Sequence, residues 1–221
     1  MKNYTYSSSK ANSLRDKAAL SARMKIYNVM ASEFLINELN SIIDVGVTAD
    51  KDKESSNFFE KVYPYPNRIT ALSDQDASWM AEIGVQFVRG NALNTPFEDN
   101  SFDLAFSSAV IEHVGNRKNQ LQFIRECIRI SKKYVFITTP NRFYPIELHT
   151  ALPFLHWLPS NVYRKILTHI GKGFFALEDN LNLLCESDLT AIMRNIGHLN
   201  YKISHIKFFG LKSNLLLIIT K

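Results

Sequence analysis

The stretch Ser41-Ile42-Ile43-Asp44-Val45-Gly46 decides the fold that this sequence predicts. A run of branched apolar residues that contains an acid and stops at a glycine predicts a buried strand followed by a turn. Apolar segments of strand length recur downstream at 68–72, 85–89, 102–107 and 133–138. Helical patterns lie between several of these segments. Strands that alternate with helices predict an α/β fold, in which helices cover both faces of a mostly parallel sheet.

The last part of the chain predicts two more strands, 202–208 and 214–220, which a tight turn around Gly210 would make antiparallel to each other. The expected sheet is therefore seven-stranded and mostly parallel, with an antiparallel last strand. Residues 141–180 break the alternation with aromatic residues and prolines, and we expect a helical lid inserted there after the fifth strand. Residues 41–221 would form one domain, preceded by an N-terminal tail (1–13) and helices up to residue 40.

Composition sets broad limits on function. The chain has 221 residues, 46% of them hydrophobic, a formal net charge of +5 and two distant cysteines, Cys127 and Cys185. The charge fits an anionic substrate, a membrane surface or RNA without selecting one. The cysteines predict buried free thiols in a reducing compartment. With no signal-peptide pattern in residues 1–10 and no apolar run of membrane-spanning length, the sequence predicts a cytoplasmic protein.

Three stretches, 42–48, 89–103 and 107–114, carry a family resemblance. In the second, Thr95-Pro96-Phe97-Glu98 leads to Phe102-Asp103, and in the third, Ser107 precedes Glu112-His113. Together they resemble class I S-adenosylmethionine-dependent methyltransferases, in particular the type 11 group near the ubiquinone- and menaquinone-biosynthesis enzymes. The resemblance implies a Rossmann-like doubly wound fold, S-adenosylmethionine as the methyl donor, and a small-molecule acceptor.

The resemblance also implies a cofactor crevice outside the carboxyl ends of the strands. Asp44 would support the first loop or pair with the amino group of the cofactor, and Gly46 would let the backbone approach it closely. Asp74 would accept the ribose hydroxyls, Asn91 would meet the adenine, and His113 would shape the loop under the cofactor. The full set expected to bind the cofactor is Asp44, Val45, Gly46, Ser73, Asp74, Asn91, Ala92, Leu93, Ser107 and His113.

The sequence departs from the family at three positions. Thr48 and Asp50 stand where the later glycines of the first motif belong, and Asn91 replaces an aspartate that many relatives carry. These departures motivate an alternative function, a catalytically degenerate methyltransferase-like protein that binds or regulates. A dinucleotide-binding enzyme is the other competitor, and the missing G-x-G-x-x-G pattern argues against it.

Three residues after the fifth strand are candidates for catalysis. His149 is the leading general base, Glu147 is its orienting partner or a second base, and Tyr144 lies beside them in sequence. The alternative is that Glu147 and His149 make structural hydrogen bonds. The acceptor is expected to offer an oxygen nucleophile on a glycan, a lipid or a quinone-like molecule.

Segment 151–176 is apolar, aromatic and basic, which leaves three interpretations open. It could be a helical lid over the substrate, a patch for peripheral membrane contact, or a helical extension of the core. No metal ligand set is expected. Nucleic acid is not an expected partner, because no aromatic side chains interleave the basic helix around Arg125 and Arg129. The sequence leaves the oligomeric state open.

Overall fold

The computed structural model of the chain describes residues 10–197 and 200–221. Its seven strands form one sheet in the order β3-β2-β1-β4-β5-β7-β6. Strand β7 runs antiparallel to both of its neighbours, and all other adjacent pairs are parallel. The strands are β1 Ile42–Val45, β2 Ile69–Ser73, β3 Gln86–Arg89, β4 Phe102–Ser108, β5 Ser131–Pro140, β6 Asn200–Phe208 and β7 Leu211–Thr220. The predicted α/β fold and its antiparallel last strand are confirmed.

The α-helices of the described residues are α1 Lys10–Glu33, α2 Phe58–Val62, α3 Arg117–Ile130, α4 Ser160–His169, α5 Gly173–Ala176 and α6 Glu186–Ile196. The predicted tail, 1–13, is too long at its end, because α1 already begins at Lys10, while residues 1–9 lie outside the described part. Between β2 and β3 lies a short 3-10 helix, Ser78–Ile83, which Gly84 ends in the left-handed conformation. None of the described helices combines the length and apolar character needed to cross a membrane.

The strands β1, β2 and β4, at the centre of the sheet, are buried on both faces, which explains their mostly apolar sequences. On β1, Ile42 packs into a cluster with α1 and α2, whereas its neighbour Ile43 packs into the cluster with α3 and α6. On β4, Phe106 belongs to the first cluster, where its ring lies 4.6 Å from that of Phe59 on α2. These two layers hold the carboxyl ends of the strands at one edge.

Residues 141–180 fold into a helical layer of their own, which we call the lid segment. It contains the 3-10 helix Leu155–Trp157 followed by α4 and α5. Its members share a third apolar cluster with the residues that follow, formed by Tyr163, Leu167, Phe175, Leu181 and Leu183. The segment is therefore a packed unit laid against the sheet edge.

Candidate active site

The strand order reverses between β1 and β4, which is where a doubly wound sheet has its ligand crevice. The turns after β1 and after β3 are each bonded to the carboxyl end of β2. The Gly46 amide donates to the carbonyl of Leu72 at 2.8 Å, and the Gly90 amide donates to the carbonyl of Ser73 at 2.8 Å. These bonds bring the predicted cofactor residues of three strand ends to one edge of the sheet.

Asp44 has a buried acidic neighbour that sequence reasoning missed. Asp44 and Glu60 of α2 are both buried, and no other described residue donates a hydrogen bond to the carboxyl oxygens of Glu60. Burial raises the pKa of Asp44 well above its usual range, and the adjacent Glu60 raises it further. Burial likewise raises the pKa of Glu60. Two adjacent buried carboxyl groups would ionise more readily beside a cation, such as an ammonium group.

Gly46 serves packing inside the protein. Its φ of 102° lies in the left-handed region, and a Cβ built on it would overlap Cγ2 of Val110. Val110, from the loop after β4, therefore fills the space on the Cβ side of Gly46, where the sequence predicted the cofactor.

Asp74 carries the exposed carboxylate at the end of β2. Its neighbours are committed to the turn, because Ser73 Oγ accepts from the Gln75 amide at 3.1 Å and Asp76 accepts from the Ser78 amide at 3.0 Å. Those bonds from Ser78 lower the pKa of Asp76. Of these side chains, Asp74 is the one left to accept hydroxyl groups of a ligand.

The remaining predicted cofactor residues differ in their exposure to solvent. Asn91 is exposed, with its side-chain oxygen accepting from the Leu93 amide at 2.9 Å, and Ala92 and Leu93 are half-buried. Ser107 is fully buried and donates to the carbonyl of Val45 at 2.7 Å. The contacts of Ser107 and Val45 therefore tie β4 to β1 and give neither side chain access to a ligand.

The loop that departs from the family pattern is well ordered by polar contacts. Asn57 accepts from the Thr48 amide and donates to the Thr48 carbonyl, both at 2.9 Å. The carboxylate of Asp50 accepts from the amides of Asp52 and Lys53 and from the hydroxyl of Ser56. A hydrogen-bonded loop thus stands where relatives have a glycine-rich turn.

A cavity of about 470 Å³ opens at the carboxyl ends of β4 and β5. Of the three predicted catalytic residues, Tyr144 and His149 line it, and Glu147 does not. Burial raises the pKa of Tyr144, so its hydroxyl stays protonated. The wall also includes residues of α1, of the loop before α2, of β4 and β5 at their carboxyl ends, of the lid segment and of the β6–β7 hairpin. These residues are Asp16, Ala18, Ala19, Ala22, Arg23, Ile26, Lys53, Ser55, Ser56, Ser108, Ala109, Thr138, Pro140, Ile146, Leu148, Phe208, Phe209, Ser213 and Asn214.

Glu147 orients His149. Its Oε1 lies 2.6 Å from His149 Nδ1 and accepts from the His149 amide at 2.8 Å, while its Oε2 accepts from the Thr150 amide. Burial opposes ionisation of Glu147, but the hydrogen bonds from His149 and Thr150 prevail and bring its pKa to about 2. A carboxylate held in this way fits the orienting partner and not the second base. These bonds also fix the local backbone, as the structural interpretation requires, and the catalytic role of the two residues stays a prediction.

His149 also meets a residue predicted for the cofactor site. Its Nε2 lies 3.1 Å from Nε2 of His113, whose Nδ1 lies 2.6 Å from the carbonyl of Asn180. Burial lowers the pKa of His113, and the neighbouring His149 lowers it further. His113 and His149 are 36 residues apart in sequence, and no local pattern signals their contact.

Arg23 of α1 is a second residue that sequence reasoning missed. It borders the cavity, with its guanidinium carbon 5.9 Å from the centre of the Phe58 ring. Its Nη1 atom is buried and has no hydrogen-bond partner among the described residues. Burial lowers the pKa of Arg23, against the effect of Asp16. A buried guanidinium with a vacant donor is suited to an anionic ligand group.

Comparisons with known proteins agree with this geometry. A family profile described as "Methyltransferase domain" matches residues 64–137. Ajmaline N-methyltransferase of Rauvolfia serpentina is 28% identical over 119 residues, which is 54% of this chain and 40% of that protein. The chain thus spans less than half the length of this relative.

Two solved structures share the fold. One, from Thermotoga maritima, is described as an S-adenosylmethionine-dependent methyltransferase and possible histamine N-methyltransferase; it has a TM-score of 0.59 at 19% identity and covers 94% of this chain and 92% of its own. The other, magnesium protoporphyrin IX methyltransferase of Synechocystis with bound S-adenosylhomocysteine, has a TM-score of 0.57 at 11% identity and covers 99% and 90%. The family profile over residues 64–137 and the shared fold agree with the resemblance to S-adenosylmethionine-dependent methyltransferases that the sequence motifs indicated.

Proposed function

We propose that this chain transfers the methyl group of S-adenosylmethionine to a small molecule bound in the cavity of about 470 Å³. The observation that carries the proposal is the position of this cavity. It lies at the carboxyl ends of β4 and β5, next to the cofactor crevice, and His149 forms part of its wall. Its volume falls within the range of small-molecule sites.

The charged groups of the crevice match those of the methyl donor. The buried acids Asp44 and Glu60 would pair with its ammonium group, and the vacant donor of Arg23 would pair with its carboxylate. The exposed Asp74 would accept the ribose hydroxyls. In this placement the amino-acid end of the cofactor would point toward the cavity in which the acceptor would bind.

His149 would take the proton that the acceptor loses. As the nucleophile attacks the methyl carbon, the bond from carbon to sulfur breaks and the sulfur keeps its electron pair, which leaves S-adenosylhomocysteine. The released proton would be held at Nε2 of His149, within 3.1 Å of Nε2 of His113. The carboxylate of Glu147, at Nδ1, would stabilise the resulting imidazolium.

We infer an oxygen nucleophile on an apolar acceptor, of the lipid, quinone-like or glycan-linked kind. The support is the base next to a cavity lined by Ala19, Ala22, Ile26 and Leu148, because a hydroxyl group must lose a proton whereas a neutral amine attacks without a base. An amine acceptor is the second candidate, favoured by the relative named as an N-methyltransferase.

Peripheral membrane contact of segment 151–176 is a secondary proposal. Large apolar side chains of the segment are exposed, among them Phe154 at 54%, Ile170 at 45% and Trp157 at 43%. Flotation with vesicles of neutral and of anionic lipids would test it. Failure of the chain to float with either kind would contradict it.

The function is tested by calorimetry followed by transfer of a labelled methyl group. We expect the chain to bind S-adenosylmethionine and S-adenosylhomocysteine and not NAD. It should then label a hydroxylated apolar acceptor from a panel that includes matched amines. Preferential labelling of the amines would move the proposal to nitrogen. Tight cofactor binding without transfer to any acceptor would instead favour the catalytically degenerate alternative.

The variant His149→Ala tests the base. Loss of the proton acceptor should lower turnover of a hydroxyl acceptor about 10²- to 10⁴-fold. Binding of S-adenosylmethionine should change little. The matched control is His169→Ala, which removes an exposed histidine of α4 within the same lid segment. Equal turnover of the two variants would refute the catalytic role of His149.

A further inference from the structure

Three side chains, of which His149 lines the cavity, converge on one point. Glu112, His113 and His149 each offer a ligand atom, and these atoms all lie within 4.8 Å of one another. Nε2 of His113 lies 3.1 Å from Nε2 of His149 and 3.9 Å from Oε1 of Glu112. The two imidazole rings are nearly perpendicular, at 84°.

The Nδ1 atoms of both imidazole rings already make hydrogen bonds. Nδ1 of His113 must carry a hydrogen, because its partner at 2.6 Å is the carbonyl of Asn180, which can only accept. Nδ1 of His149 likewise donates to the carboxylate of Glu147 at 2.6 Å. In neutral rings both Nε2 atoms are then acceptors, and they face each other at 3.1 Å. Two lone pairs at that distance repel unless a cation lies between them.

The third group adds an acceptor that lacks a donor. Glu112 has no exposed surface, and its Oε2 accepts from the hydroxyl of Thr139 at 3.0 Å. Its Oε1 is buried and has no hydrogen-bond partner in the described part of the chain. A buried carboxylate oxygen without a donor is costly. A cation among Glu112, His113 and His149 would supply the partner that Oε1 of Glu112 lacks.

We propose that Glu112, His113 and His149 bind a divalent transition-metal ion of the zinc type. Two imidazole nitrogens and one carboxylate form a known ligand set for such ions, and an open position is left toward the cavity. In a tetrahedral site, ligand bonds of about 2.0–2.1 Å place neighbouring ligand atoms about 3.3–3.4 Å apart. The two Nε2 atoms, at 3.1 Å, are close to that spacing, and Oε1 of Glu112, 3.9 Å from Nε2 of His113, would move inward when the ion binds. The contacts of Asn180, Glu147 and Thr139 are the outer hydrogen bonds that orient metal ligands.

The ion would join the lid segment to the sheet. Glu112 and His113 follow β4 in the core, whereas His149 and the carbonyl of Asn180 belong to the lid segment. Metal binding and proton transfer exclude each other at Nε2 of His149, so the base role belongs to the metal-free chain. The inference does not depend on methyl transfer and is tested without cofactor or acceptor.

The test is calorimetric titration of the full chain, stripped of metal with a chelator, with Zn²⁺. We expect one ion per chain. His113→Ala and His149→Ala should each weaken that binding more than 100-fold. Glu147→Gln keeps the ligands but weakens an outer hydrogen bond, so it should lose roughly 10- to 100-fold. His169→Ala, an exposed histidine of α4, should bind Zn²⁺ like the parent chain.

A spectroscopic arm separates loss of ligands from loss of fold. Co²⁺ in place of Zn²⁺ should give visible bands without thiolate charge transfer, and these bands should vanish in both histidine variants. Far-UV circular dichroism and the Tm of metal-free His149→Ala, both like those of the metal-free parent chain, would show that this variant is folded. Thiolate bands, Zn²⁺ binding that survives both substitutions, or a proton resonance shared by the two rings in a chain that takes up no Zn²⁺ would overturn the proposal.

Discussion

Asp44 places a carboxyl group inside the sheet, where Glu60 adds a second one. An asparagine at position 44 would make the cofactor-free chain more stable, because burial penalises the charged form of both acids. The pair becomes favourable once a cation arrives, and the ammonium group of the methyl donor is the cation that the proposed function supplies. At the scale of this residue, cofactor-free stability and cofactor affinity are therefore expected to oppose each other.

The variant Asp44→Asn tests this opposition through pH. In the folded chain Asp44 keeps its proton to a higher pH than in the unfolded chain, since its pKa is raised. Between those two pKa values the unfolded state binds fewer protons, so the free energy of unfolding falls as pH rises, by at most about 1.4 kcal/mol per pH unit for one group. Asparagine cannot ionise. We expect the loss of stability from pH 4 to 8 to be smaller in Asp44→Asn.

Urea denaturation of the cofactor-free chain over that pH range measures the effect. The matched control is Asp74→Asn, which removes an exposed carboxylate from the neighbouring strand end and should keep the parental dependence on pH. An Asp44→Asn variant whose stability falls as steeply as that of the parent would show that the buried acid carries no such cost.

At the scale of elements, the turn after β1 packs closely against the loop after β4 because Gly46, in that turn, has no side chain. Gly46 has a positive φ, and Val110 fills the place of its Cβ. Gly46→Ala should therefore destabilise the chain by roughly 1–3 kcal/mol through overpacking, in addition to backbone strain. Thermal unfolding measures this change.

Gly171→Ala separates the two contributions. Gly171 also has a positive φ, of 77°, but a Cβ there would meet no atom within 4 Å. It reports backbone strain alone and should cost less than Gly46→Ala. The double variant Gly46→Ala with Val110→Ala should recover part of the loss. If the alanine at position 46 costs no more than the one at 171, the fit between the two elements is not what requires the glycine.

The sequence predicted elements better than it predicted partnerships between them. Strands such as Ile42–Val45 are buried on both faces, so their apolar runs are visible locally. The loss of alternation at 141–180 predicted a helical insertion there, but it did not predict the packing of that insertion into a third apolar cluster. Contacts such as Asp44 with Glu60, or His113 with His149, depend on how distant elements dock, and residue spacing carries no information about docking.

Individual site residues divide in the same way. Asp74 follows a strand directly, and the structure leaves its carboxylate exposed at the strand end, as its position in sequence suggested. Ser107 also follows from the motif, yet its hydroxyl is turned inward to the carbonyl of Val45. Arg23 had no signal, because an arginine on a helix is ordinarily solvated, and only the placement of α1 over the cavity buries it.

At the scale of the whole molecule, the proposed cofactor crevice and the adjoining cavity are built from α1, the ends of several strands and the lid segment. Ligand binding should therefore stabilise the fold as a unit. A ligand present at 100 times its dissociation constant adds about 2.7 kcal/mol to the free energy of unfolding. For a chain of this size we expect S-adenosylhomocysteine to raise Tm by roughly 5–10 °C in one transition. NAD at the same concentration should leave Tm unchanged. Asp74→Ala should lose much of the shift without a lower Tm of its own, because it removes an exposed carboxylate that contacts the ligand alone. Differential scanning calorimetry would decide the matter: an equal shift with NAD, or a shift that Asp74→Ala leaves intact, would contradict the placement of the cofactor in this crevice.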